Sequence, residues 1–159
     1  MAAPDVELAD AIVADLNHVD RGWSLSFTAE RVWVPLWIGD EELSDLQCLV
    51  CPWPVVEVEP QDRDTTRAEY SIDIGFAQRL ESKTRAEIDG LVNQVNVVSK
   101  RYPALEFTVS GVGKFVGLRR LDEYVTFDPS RLNRVPGTTN YTGDFLSMMR
   151  VPYRLLEPS

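Results

Sequence analysis

Cys48-Leu49-Val50-Cys51 has the spacing of a redox or metal-binding thiol pair, and it is the first place in the chain where chemistry could be sought. Zinc would need a second pair of ligands, and the single histidine, His18, stands outside any ligand spacing. A redox pair sits at a helix start, where the dipole lowers one thiol pKa, whereas these residues lie in an apolar strand-like run that points them to opposite faces. Core thiols are the expectation. Gly111-Val112-Gly113-Lys114 resembles the end of a phosphate loop, but Phe115 replaces the magnesium-holding Ser/Thr and Thr108 stands where the first glycine belongs. These glycines serve the backbone, at a bulge or a tight turn. His18 reads as a solvated residue after a helix end, and no Ser or Cys has a visible partner base. The carboxylates Asp40, Glu41 and Glu42, and Asp62 with Asp64, lack the glycine-punctuated pattern of a calcium loop. The first group reads as a helix cap and the second as a solvated loop. Without a convergent nucleophile, base and oxyanion site, the sequence gives no reason to expect an enzyme, a cofactor or a metal.

The elements that would position these residues follow from spacing. Pro4 to Asn17 puts Val6, Ala9, Ile12, Val13 and Leu16 on one helical stripe, with Asp5 and Glu7 at the positive end of the dipole. Leu25–Val34 alternates like a central strand that ends at Pro35, and 40–46 reads as one or two helical turns. Gln47–Trp53 is a short strand that Pro52-Trp53-Pro54 stops, and Val55–Glu59 is a separate edge segment before a polar loop. Arg67–Leu80 is the longest strand, with Ala68, Tyr70, Ile72, Ile74 and Phe76 on a buried face and Arg67, Glu69, Ser71 and Asp73 on a wet one. Thr84-Arg85-Ala86-Glu87 is a capping box opening a helix whose stripe runs from Ile88 to Tyr102 before Pro103. Phe107–Val109 and Lys114–Arg119 are strand pieces, and Phe145–Leu156 is the last strand. Between them, residues 128–143, rich in Pro, Gly, Asn and Thr, read as a long polar loop.

The expected fold is α+β: a mixed, largely antiparallel sheet of about four to five strands against two main helices, in one domain spanning 1–159. The apolar share of 44% fits a single globular core. No apolar run is long enough to span a bilayer, and Met1–Asp5 lacks the start of a secretory signal, so a soluble, non-exported protein is expected. The net charge of −9 opposes tight binding to nucleic-acid phosphates. That charge is unevenly distributed: residues 1–80 hold 16 Asp/Glu against 5 Lys/Arg, and residues 81–159 hold 9 against 11. Opposite signs in two halves suit a heterologous, head-to-tail contact between copies. Trp23, Trp33, Trp37 and Trp53 read chiefly as core, with one or two available as interface anchors. In the polar loop, Arg131, Asn133 and Arg134 are candidates for partner contacts.

Certain stretches carry a resemblance. Phe27-Thr28-Ala29-Glu30-Arg31 before Val32-Trp33-Val34-Pro35, Glu41-Glu42-Leu43-Ser44-Asp45-Leu46, Glu69-Tyr70-Ser71-Ile72-Asp73-Ile74 and Glu87-Ile88-Asp89-Gly90-Leu91 resemble the bacteriophage tail terminator and neck proteins, over roughly residues 6–118. After Arg119 the chain departs from that pattern, being longer and more polar as far as Gly143. The resemblance implies a structural virion protein, assembled in the bacterial host cytoplasm. It would form a ring, a hexamer, on the head-proximal end of the tail tube, stop tube growth and join tail to head. Its partners would be itself, the tail tube protein and a head-tail connector or stopper. Such a ring would pass DNA through its lumen, and an acidic lumen, faced by some of Glu57, Glu59, Asp62 and Asp64, would let it pass without sticking. A connector or other neck role is the alternative within that class. A small-molecule-binding α+β domain, its pocket between the capped helix and the sheet, is the alternative outside it.

Overall fold

The computed structural model describes the backbone of residues 3–33, 45–60 and 66–156, and the side chains of these except 53–60 and 66–67. Helix α1, Pro4–Leu16, starts with proline at its first turn, where the missing N–H costs nothing, and carries Asp5 and Glu7 there. It buries Leu8, Ala9, Ile12 and Leu16. Strands β1 (Thr28–Arg31), β2 (Gln47–Pro60) and β3 (Thr66–Lys83) follow, then helix α2, Arg85–Arg101. The α2 capping box is present in both directions, Glu87 N–H to Thr84 Oγ1 at 3.2 Å and Thr84 N–H to Glu87 Oε1 at 3.4 Å. Strands β4 (Glu106–Val109), β5 (Gly113–Gly117), β6 (Glu123–Val125), β7 (Leu132–Arg134) and β8 (Tyr141–Leu156) complete the fold.

The class is α+β as expected, but the sheet has eight strands among the described residues, not four or five. The additional strands are short: β6 and β7 have three residues each, too few for alternation to reveal them. The order is β1-β2-β3-β8-β5-β4, antiparallel throughout except β1 with β2. Strand β8 is the spine. Its residues 148–150 and 141–143 pair with β3 along one edge, so β6 and β7, which pair with the same residues, line the opposite edge end to end with β5.

Three further expectations need correction. The strand predicted at the centre over 25–34 is four residues at the edge, because among the described residues β1 pairs only with β2. The two short strands around Pro52-Trp53-Pro54 are one strand, with a register shift between Pro52 and Val56. Both prolines are tolerated because β1 and its extension end their pairing at Val50, leaving β2 beyond it without a described neighbour on that side. The polar stretch 128–143 is not a long loop: it holds a 3-10 turn at Pro129–Arg131, strand β7, and the start of β8.

The core lies on the face of the sheet that meets the helices. Ile72, Ile74, Phe76, Phe145, Met149, Val151 and Tyr153 meet Leu8, Ile12, Leu16, Ile88, Leu91, Val95 and Val98 in one buried cluster. On the opposite face β3 is not simply wet, since Asp73 is 5% exposed and Ala77 is fully buried. Cross-strand ion pairs occupy that face, each between residues directly opposite in register: Glu69 with Arg154 at 3.4 Å, Asp73 with Arg150 at 2.8 Å, and Arg79 with Asp144 at 3.5 Å.

Candidate functional site

The thiol pair folds as an apolar strand must fold it. Cys48 sits opposite Phe76 and Cys51 opposite Asp73, on alternate faces of β2, and both are free thiols. Burial pushes both thiols up, and the Asp73 carboxylate adds to the rise at Cys51, so neither is an activated nucleophile. Cys51 donates to the carbonyl of Trp33 at 3.3 Å. Gly111 and Gly113, both at positive φ, form the turn that joins β4 to β5. His18 is half exposed and accepts the Asp20 N–H at 3.2 Å, capping a 3-10 turn at Val19–Arg21. Among the described residues, no three His, Cys, Asp or Glu side chains converge as a metal set would.

The interaction candidates do not converge either. Glu57 and Glu59 lie on the far half of β2, opposite Glu69 and Arg67, while Asp62, Asp64, Trp37 and the helical turn at 40–46 (apart from Asp45 and Leu46) lie outside the described residues. Asn133 and Arg134 lie on β7, opposite Thr142 and Tyr141 at the other end of β8. Arg131 closes the 3-10 turn and pairs with Asp128 at 3.6 Å. Hydrogen bonds from the Ser130 hydroxyl and N–H, with Arg131 nearby, hold the Asp128 carboxyl below its ordinary range. Of the three loop candidates, Arg131 is thus committed to a local turn, whereas Arg134 is exposed and has no carboxylate partner among the described residues.

Most cations of this acidic chain are matched. Among the side chains described, those without an ion pair are Arg85, Lys100, Arg119 and Arg134. They fall into two pairs. Arg85 and Arg134 line one concavity of about 510 Å³, together with Asp89, Thr139 and Tyr141. Lys100 and Arg119 line another of about 280 Å³, with Pro103 and Leu121. Arg119 is the single described non-glycine residue at positive φ, 58°, and its N–H is held by the Pro103 carbonyl at 2.9 Å. Between the two concavities Val97 is 53% exposed, and Tyr124 of β6 donates to Asn96 of α2. Three of these four cations were invisible to sequence reasoning, because which cations are left over depends on tertiary pairing. A different cleft, of about 570 Å³, opens between α2 and the sheet, floored by Leu25, Phe27, Leu46 and Leu91 and rimmed by Lys83 and Glu87.

At the opposite lateral edge, β1 presents Glu30, exposed and without a cation among the described residues, and beyond it Trp33, 62% exposed under the Arg31 guanidinium at 5.3 Å. Asp45, next to the start of β2, is exposed and also unpaired among the described residues. Because β1, β2 and β3 occupy one side of the sheet and β4 to β7 the other, the acid-rich first half and the cation-richer second half of the chain lie side by side across the sheet.

No helix is long and apolar enough to cross a membrane among the described residues. Comparison with known proteins found no matching family model and no curated protein that matches the chain.

Proposed function

We propose that this chain is a structural protein of a tailed bacteriophage. It assembles as a ring of about six copies at the head-proximal end of the tail tube, ends tube polymerisation and joins tail to head. The reading begins with the stretches in residues 6–118 that resemble tail terminator and neck proteins. The observation that carries it is the separation of charge across the sheet: among the described residues, carboxylates without an ion pair on and beside β1, and cations without one beside the β5–β6–β7 edge. A ring needs two different, mutually complementary surfaces on each copy, and lateral edges of opposite sign supply them. The carboxylates of the 57–64 stretch suit a channel through which DNA passes without being held.

The test is the mass of the purified protein by light scattering over a range of concentration, with purified tail tubes added in a second series. A ring, free or on tube ends, is expected. A strictly monomeric protein that neither binds tube ends nor limits tube length would overturn the reading.

The cleft between α2 and the sheet favours a second reading, a small-molecule-binding domain, since it combines an apolar floor with a Lys83–Glu87 ion pair at its rim, 3.2 Å. A monomer whose thermal stability rises with a bound metabolite would support that reading, since a ligand that binds only the folded state stabilises it.

A further inference from the structure

We propose that the lateral face formed by α2 and the β5–β6–β7 edge receives the β1 edge of a second copy of this chain. The inference rests on the ring reading and names the two surfaces that would build it. Arg85 and Lys100 lie fifteen positions apart in α2, about 22 Å along the axis at 1.5 Å per residue and within about 60° of each other around it. Arg134 and Arg119 stand beside them on the adjoining edge, so each end of this face carries two cations that form no ion pair among the described residues. The middle offers exposed Val97 and the ring of Tyr124. Asp89 in one concavity is the acid on this face that has no cation among the described residues.

The β1 edge has the complementary pattern. Glu30 on the strand is exposed and unpaired among the described residues, as is Asp45, which flanks the start of β1 where the cleft to α2 opens, and Trp33 offers a large apolar surface beyond the end of the strand. Exposed tryptophan and complementary charge are what give an interface an anchor and a register. Strand β1 and strands β5–β6–β7 stand at opposite edges of one sheet, so joining one surface to the other is heterologous and leaves one surface free at one end and its complement free at the other. Such a contact propagates until it closes. An isologous dimer would instead pair acid with acid.

Two charge-reversed proteins test this. One carries Glu30→Lys and Asp45→Lys; the other carries Arg85→Glu and Arg134→Glu. All four positions are exposed, so each protein should fold, and circular dichroism with thermal melting checks that it does. Each reversed protein alone is expected to lose association by tenfold or more, whereas an equimolar mixture regains it, because the altered β1 edge of one now matches the altered α2 face of the other, and the two unaltered surfaces match as before. Assembly of the unaltered protein that either reversal leaves untouched, or a mixture that stays dissociated, overturns the assignment of surfaces while the ring reading stands. An unaltered protein that never assembles, with or without tail tubes, overturns both.

Discussion

At the residue scale, the charge pairs on the outward face of the sheet have unequal weight. Asp73 is 5% exposed and Arg150 grips it with two hydrogen bonds, 2.8 and 3.2 Å, while reaching Glu123 at 3.5 Å. Removing one partner of such a pair strands a desolvated charge. Arg150→Met should therefore lower stability by about 3 kcal/mol in urea unfolding. Asp73→Leu with Arg150→Met should recover most of that loss, because neither charge is then left alone. Lys114 with Glu106, half exposed on both sides, should contribute well under 1 kcal/mol, as solvent-screened pairs do. Asp15 is a second focus, tying the end of α1 to the end of α2. Burial would raise its carboxyl, but hydrogen bonds from Arg101, Tyr102 and Arg21 outweigh that and hold it below 3.8. A lowered folded-state pKa gives stability that is present above the unfolded value and lost as pH falls through the folded one. Asp15→Asn should cost about 2 kcal/mol near pH 7 and progressively less below pH 4, a convergence that denaturation at several pH values would reveal.

At the element scale, what was legible in the sequence was what repeats over a long segment. The α1 stripe and the α2 capping box are signals of ten or more residues, and both helices lie within a residue or two of where spacing puts them. Strand β3 alternates for most of its eighteen residues and was equally plain. The three-residue strands β6 and β7 were not, since each exists because the sixteen-residue β8 offers an open edge and not because of its own pattern. This changes how the 128–143 stretch should be tested. Deleting Ser130–Asn140 would remove β7 and unpair the start of β8, so lost assembly would report lost fold. Exchanging Arg134 alone avoids that. Two local contacts set expectations for this scale. Thr84→Ala removes the α2 cap and should cost about 1 kcal/mol in thermal unfolding. A methyl at Gly117 would lie 2.3 Å from the Pro103 carbonyl oxygen, a backbone atom that cannot swing aside, so Gly117→Ala should cost about 2 kcal/mol.

At the scale of the whole molecule, the charge asymmetry was visible in sequence but its geometry was not. An acid-rich first half becomes a lateral surface only because β1 to β3 stay on one side of the central β8 and β4 to β7 on the other. A different topology would have interleaved the same halves and cancelled the field. The same blindness covered Arg85, Lys100 and Arg119, whose lack of partners is a property of the fold. Electrostatic attraction between separated edges has a diagnostic dependence on salt, because the screening length falls from about 10 Å at 0.1 M to about 3 Å at 1 M. The association constant of the unaltered protein should fall by tenfold or more over that range, measured by light scattering in sodium chloride. Since Val97, Tyr124 and Trp33 lie within the proposed contact, their burial would not be screened, and association should level off above zero at high salt. Sodium sulfate separates the two contributions further: it screens charge as well but strengthens apolar burial, so at equal ionic strength it should retain more of the ring than chloride does. Equal loss in both salts would mean that charge alone holds the copies together, and Trp33→Ala would then leave the assembled mass unchanged.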